Sequence, residues 1–336
     1  MKHHLEMLAI GDVVTDAFIE LLPKEAEIEY DSKRHPLLCM SYGTKIPFQE
    51  EITVNGVGNA PNAAVAWARL GFEAALMSNI GGDQVGQDIL HALSRNHVST
   101  EFIHVHPGKV SNYHYVLWYK SDRTILIKHE AYHYQWPDIR DYQRPEWVYL
   151  SSIGEAGFGM HARLEQYLAK NDDIKLVFQP GTFQIRAGHN KLSRLYKQTE
   201  IFAANKEEFQ QILGKNSDDE QVLIHGLHQL GPKIVLLTDG PKGAFASDGQ
   251  QIWFMAPYPD PKPPLDRTGA GDCYASTFAA AVAMGKDIPT ALAWAGVNSM
   301  QVVQYIGAQK GLLSHNAILG WLKKAPSSYR AKLLRK

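Results

Sequence analysis

Short apolar runs punctuate this chain from end to end, and the segments between them differ in character. Residues 7–10, 74–80, 147–151, 174–179, 201–204 and 234–238 are nearly continuous stretches of aliphatic and aromatic residues. Each is too short for a buried helix and stops at glycine, proline or polar residues, as a strand covered on both faces does. Between the later runs, residues 161–170, 190–198, 207–213 and 220–230 read as helices. Such alternation, with connections of a few residues, predicts a parallel sheet with helices on both faces. Earlier in the chain, residues 87–95 form a predicted helix and 98–100 turn back into a strand. An alanine-rich helix is expected from Asn62, which can cap it, to a stop at Gly71. Two more are expected at 274–284, ending before Gly285, and at 290–306. The basic segment 315–336 reads as a helix followed by a frayed tail.

Two regions break this pattern. Residues 17–54 have no helical period and hold β-like pieces at 17–22 and 50–54 around a long polar insertion. Residues 111–119 and 123–128 are β-rich and separated by Lys120-Ser121-Asp122, a hairpin signal. Together they predict a small sheet apart from the core, and the aromatic residues between Tyr113 and Tyr134 give it a face to pack.

Composition narrows the class. At 336 residues, 45% hydrophobic and 21% charged, the chain can build one large domain with an appendage. A net charge of −1 gives no basic field for nucleic acid. The 15 histidines lack the paired spacing of a zinc site. Cys39 and Cys273 make no disulfide framework. No signal-peptide pattern or membrane-length apolar run is present in the sequence, so the expected location is cytoplasmic, with no membrane partner.

The chemistry concentrates at Leu265-Asp266-Arg267-Thr268-Gly269-Ala270-Gly271-Asp272-Cys273, which follows a proline-dense segment that cannot be helix interior and precedes the helix at 274–284. Small residues at a loop-to-helix junction let free N–H groups of the first turn meet an anion, favoured by the helix dipole. A carboxylate beside such a cradle repels an anion unless it has a task, and taking a proton from an attacking hydroxyl is one. The segment reads equally as a glycine-rich loop capped by Asp272. Asp12 and Asp16 follow the first strand, at the carboxyl edge of the sheet where ligands bind, or serve local backbone. Asn205-Lys206-Glu207-Glu208 has the spacing of a capping box.

Gly-Ala-Gly-Asp after Asp-x-Thr resembles the signature of the ribokinase-like carbohydrate kinases, the phosphofructokinase B type family. Asn55-Gly56-Val57-Gly58-Asn59-Ala60-Pro61-Asn62, with the alanine-rich helix to Leu70-Gly71, is similar to that family's first signature, although Val57 replaces the first glycine of its usual pair. The likeness extends in order from Ile10 to Gln309. It implies an α/β fold, a three-layer sandwich with a central, mainly parallel sheet, plus a small β-sheet lid. The core would be residues 1–16, 55–108 and 137–336, and the lid 17–54 and 109–136.

The resemblance further implies ATP-dependent phosphorylation of a hydroxymethyl group on a small sugar, or on a nucleoside, with Asp272 as base and Gly269, Ala270 and Gly271 as anion hole. Asp12, Asp16, Gly58 and Asn62 would bind the acceptor. Asn205, Thr238, Gly240, Gly243 and Asn298 would line ATP, and Glu208 would hold Mg²⁺ through a water. Asp266 and the Thr268 carbonyl would ligate a monovalent cation, K⁺, unless Arg267 folds back on Asp266 and supplies the charge. Lid strands could pair across a homodimer. A sensor that binds nucleotide or sugar without transfer is the reading from another class. A dehydrogenase is disfavoured, because Gly56-x-Gly58 leads to asparagine and proline rather than to a dinucleotide fingerprint.

Overall fold

The computed structural model describes residues 4–120 and 122–335, so Ser121 of the expected hairpin turn lies outside the described residues. Its strands are β1 (Met7–Ile10), β2 (Val14–Leu21), β3 (Ala26–Tyr30), β4 (Pro36–Met40), β5 (Phe48–Val57), β6 (Ala74–Gly81), β7 (Val98–Ser99), β8 (Ile103–His106), β9 (Tyr113–Tyr119) and β10 (Asp122–Leu126). They continue with β11 (Trp147–Leu150), β12 (Lys175–Phe178), β13 (Thr199–Asn205), β14 (Ile234–Thr238), β15 (Ala244–Ser247), β16 (Ile252–Met255) and β17 (Lys332–Arg335). The helices are α1 (Asn59–Leu70), α2 (Gln84–Arg95), α3 (Gly159–Lys170), α4 (Thr182–Ala187), α5 (Ser193–Gln198), α6 (Lys206–Leu213), α7 (Glu220–Leu230), α8 (Ala270–Ala283), α9 (Ile288–Val302) and α10 (His315–Lys323).

An 11-stranded sheet runs in the order β17-β16-β15-β14-β13-β12-β11-β1-β6-β7, with β8 also on β6. Its members from β14 to β7 are parallel, and β15, β16 and β17 add antiparallel at one edge. Successive side chains of a strand point to opposite faces. Met7, Ala9, Leu76, Tyr149, Val177 and Leu236 accordingly join one buried cluster with α1, α8 and α9. Leu8, Ile10, Met77, Leu150, Phe178 and Leu237 join the other, with α3, α5, α6 and α7. This is a three-layer α/β/α sandwich. The parallel strands end at one edge, where Asn205 and Thr238 close β13 and β14 and the loops carrying Asp12 and Gln179 emerge.

A separate four-stranded sheet has the order β10-β9-β2-β5, and β3–β4 form their own hairpin within the polar insertion. Tyr119 is buried with Leu21 and Ala26, whereas Tyr115, four residues earlier on the same face of β9, is exposed. No helix of the described residues is long and apolar enough to cross a membrane.

Four expectations need correction. Helix α1 begins at Asn59 after Gly58, not at Asn62, because Pro61 fits a first turn and Asn62 donates its backbone N–H to the Gly58 carbonyl at 2.9 Å. The helix expected at 190–198 begins at Ser193, with a separate α4 before it. The helix expected at 290–306 is α9, Ile288–Val302, whose N-cap is Asp287 accepting from Thr290 N–H. The tail expected to fray instead supplies β17, paired with β16.

Candidate active site

Gly269 is the N-cap of α8, at φ 74°. A Cβ there would lie 2.1 Å from the Ala308 Cβ, so both the backbone and the close approach of the 307–309 turn require glycine. The N–H groups of Gly269, Gly271 and Asp272 have no hydrogen-bond partner among the described residues, while Ala270 N–H turns back to the Arg267 carbonyl at 3.3 Å. Of the expected anion hole, Gly269 and Gly271 therefore keep free donors and Ala270 contributes mainly smallness. A Cβ on Gly271 would meet nothing within 4 Å, so that position faces open space.

Asp272, in the first turn of α8, is 8% exposed. Asn59 Nδ2 (2.7 Å) and Gln179 Nε2 (2.9 Å) donate to its Oδ1, and Asn62 Nδ2 (2.9 Å) donates to its Oδ2. A carboxylate has about four lone-pair sites, so one on Oδ2 is left. The amides are themselves oriented from behind. Tyr149 Oη donates to Gln179 Oε1 at 2.6 Å, and Gln309 Nε2 donates to Asn62 Oδ1 at 3.0 Å. Burial raises the Asp272 pKa, and the amides of Asn62, Asn59 and Gln179 oppose that rise. The result is an immobilised carboxylate with one lone-pair site open.

Next to it, a cavity of about 350 Å³ is lined by Asn205, Thr238, Gly240, Gly243, Ala270 and Gly271, among others. Asn205 and Glu208 form the expected capping box, each side chain accepting from the other's backbone N–H at 2.9 Å. Burial raises the Glu208 pKa, as do the charges of Asp272 and Glu207. The Asp272 charge thus reaches Glu208.

Asn298 does not line this cavity. It is fully buried, its Nδ2 donating to Thr277 Oγ1 at 2.8 Å and its Oδ1 accepting from Leu313 N–H at 2.8 Å. Its neighbours Gly296, Ser299 and Met300 line the cavity instead. Its role is to tie α8, α9 and the 312–313 loop together, which corrects the sequence expectation. Asn298→Ala should lower the melting temperature by several degrees, since it strands two buried groups at about 1–3 kcal/mol each, yet leave the nucleotide KM within twofold. Thermal unfolding beside nucleotide titration checks both.

On the opposite side of Asp272, Gly58 has φ 122°, and a Cβ would lie 2.9 Å from the Asp12 carbonyl oxygen. Val57 keeps a negative φ, so loss of the paired glycine costs no backbone strain. Asp12 is largely consumed: it accepts from Tyr134 Oη and from Gly154 N–H at 2.6 Å, with His129 Nδ1 at 3.5 Å. Asp16 is freer. Its Oδ1 lies 3.3 Å from His114 Nδ1, and both that oxygen and His114 Nε2 are buried without a hydrogen-bond partner.

Asp266 is ringed by donors: Thr268 N–H (2.9 Å) and Oγ1–H (2.7 Å) on Oδ1, and Gly307 N–H (2.9 Å) on Oδ2. Arg267 does not fold back on it but lines the cavity of Asn205 and Gly271. Arg123, from β10, brings Nη1 to 3.9 Å from Asp266 Oδ1.

Sequence reasoning missed Asn59, Gln179, Tyr134, His114 and Arg123. Asn59 sits inside the first glycine-rich motif and could have been weighed there. Gln179 could have been noticed as the polar end of an apolar strand, immediately before Pro180.

Four likenesses to known proteins bear on this arrangement. Residues 26–315 match the pfkB family carbohydrate kinase profile. The chain is 26% identical over 282 residues to a ribokinase of Bacillus subtilis, covering 79% of this chain and 87% of that one. It is 26% identical over 265 residues to a nucleoside kinase of Methanothermobacter thermautotrophicus, covering 76% and 80%. The structure of Arabidopsis thaliana ribokinase complexed with ribose and ATP superposes with a TM-score of 0.75 at 20% identity, covering 96% of this chain and 99% of that one.

Proposed function

Because this chain belongs to the pfkB family of carbohydrate kinases, and is thus a phosphotransferase, we propose that it transfers the γ-phosphoryl group of ATP to a hydroxymethyl group of a small sugar. The observation carrying this reading is Asp272, held by three amides with one lone pair free beside Gly271, which has an unpartnered N–H and lines an open cavity. In the proposed reaction Asp272 Oδ2 takes the hydroxyl proton, the oxygen forms its bond to the γ-phosphorus, and the bond to the ADP oxygen breaks. Free N–H groups of Gly269 and Gly271 stabilise the charge on the transferring group, the kind of term that dominates phosphoryl transfer.

Asn205, Thr238, Gly240 and Gly243 line the proposed nucleotide side. Open space at Gly271 fits a phosphate. Glu208, drawn up in pKa by burial and by Asp272, fits one carboxylate of a Mg²⁺ site. Among the described residues no group of three acidic, histidine or cysteine side chains could hold a metal alone, which suits an ion bound chiefly by phosphates and water. When bound, Mg²⁺ would neutralise phosphate charge. The small sheet covering the acceptor side excludes water as a competing acceptor.

Asp16 and Asn62 are the proposed acceptor contacts. Asp16→Ala should raise the acceptor KM at least tenfold and leave the ATP KM within about twofold, because an unmade bond in a dry site strands its partner. Equal effects on both would count against the placement. A nucleoside acceptor is the second reading, favoured by the ring of Phe183 set edge-on to His129 at 5.7 Å beside Asp12. A panel of pentoses, hexoses, keto-sugar acids and nucleosides, scored by ADP release, separates the two. Tight binding with no ADP release from any acceptor would return the sensor reading.

A further inference from the structure

The family resemblance implies a monovalent cation at Asp266, and the residues around that carboxylate do not fit one. Three donors already point at its two oxygens. The space beside it is a cavity of about 10 Å³, room for roughly one water, walled by Phe18, Trp118, Leu265 and Ile306 together with Asp122, Arg123 and Asp266 itself. A K⁺ ion needs several oxygen ligands; the four apolar side chains supply none, and Asp122 Oδ1 is already taken by the Arg123 N–H at 2.8 Å. The nearby positive charge is a guanidinium: Arg123 Nη1 lies 3.9 Å from Asp266 Oδ1, with the two side chains 28% and 10% exposed. Arg123 Nε is buried without a hydrogen-bond partner. The inner end of the side chain is thus buried at this gap, while part of it stays exposed.

What lies behind Asp266 gives the contact a consequence. Gly307 N–H donates to Asp266, Ala308 packs against Gly269 of the anion cradle, and Gln309 orients Asn62, which holds Asp272. Val54 of β5 packs where a Gly307 Cβ would point, and Gln309 Nε2 donates to the Gly56 carbonyl of the same strand at 2.9 Å, so the small sheet touches this turn twice. We propose that Arg123 is a positioning residue: docking of the small sheet brings its guanidinium to Asp266, supplies the positive charge at the foot of the anion cradle in place of a monovalent ion, and fixes the 307–309 turn that holds cradle and base. This rests on the kinase reading for its rate readout only. The sheet-to-cradle link itself can be measured without an acceptor.

The test uses the full chain and the variants Arg123→Met and Arg123→Lys. Initial rates are taken in tetramethylammonium buffer and with K⁺ added at constant ionic strength. Wild type should be flat to K⁺. Arg123→Met should lose at least tenfold in kcat, with much of it restored by Arg123→Lys or by added guanidinium. Several-fold K⁺ activation of wild type overturns the proposal, as does an Arg123→Met enzyme with wild-type kcat. A loss that neither lysine nor guanidinium restores makes the residue mere packing and also overturns it. Amide hydrogen exchange across residues 265–271 and 307–309 runs in parallel. It should quicken in Arg123→Met and stay near wild type in Arg123→Lys, and unchanged exchange in the methionine variant sinks the coupling. If wild type releases no ADP with any acceptor, the kinase reading fails while the exchange comparison still decides the link.

Discussion

Asp272→Asn should fold, bind nucleotide and fail to transfer phosphate, with kcat lower by 10²–10⁴, about the range for losing a general base. The substitution keeps the shape that Asn59, Asn62 and Gln179 enclose but cannot take up a proton. The same carboxyl sets the pH profile. Its pKa is raised above the ordinary 3.8 by burial, against the pull of the three amides, and the base acts when ionised. On the proposed mechanism activity therefore falls with falling pH through a point above the ordinary aspartate value. Amide donors favour the ionised form, so Asn59→Ala should move that acid limb to higher pH. Single-turnover kinetics on Asp272→Asn, with nucleotide binding measured separately, decide the assignment. A variant keeping a tenth of wild-type kcat would overturn it.

Gly269→Ala should do damage of a different kind. Its methyl group would sit 2.1 Å from the Ala308 Cβ and 2.7 Å from the Ala308 Cα, at a backbone φ of +74°. Left-handed backbone costs about 1 kcal/mol for a residue with Cβ, and the overlap with Ala308 can be relieved only by moving the 307–309 turn. Loss of about 2–4 kcal/mol of stability is expected, a range typical of overpacking plus strain. Activity should fall more than a hundredfold in whatever fraction remains folded. The control is Gly271→Ala, whose Cβ meets nothing within 4 Å. It should melt like wild type but impair turnover, because the methyl enters the space proposed for phosphate. If both variants melt alike, the packing account of Gly269 is wrong.

These two glycines look identical in sequence, and that marks the boundary of what could be read there. The parallel strands were legible because burial on both faces leaves near-continuous apolar runs such as 147–150 and 234–237. The cradle was legible because small residues before a helix have a direct physical meaning. The partners of Asp272 were not, since Asn59 and Gln179 stand 213 and 93 residues away from it, and no local period encodes such a meeting. Arg123 was hidden likewise: on a strand it looks like an exposed charge, and only the docking of two sheets gives it Asp266. The capping role expected of Asn62 failed for a nearer reason. A helix cap and a buried amide donor use the same residue types, and only the position of the first turn shows that this amide holds Asp272. The hairpin of β15 and β16 carried a turn signal, Asp248-Gly249, that was passed over.

The separation of those partners also sets a schedule for synthesis. Asn59 leaves the ribosome 213 residues before Asp272, roughly 10–40 s earlier at ordinary elongation rates. During that interval its amide has no carboxylate to meet. Gln309, which orients Asn62, emerges later still, after α8 and α9 have both been made. A nascent chain can therefore form β1, β6, β11 and β12 well before it owns a base, and the first turnover any molecule performs reports that its last quarter has closed onto its first.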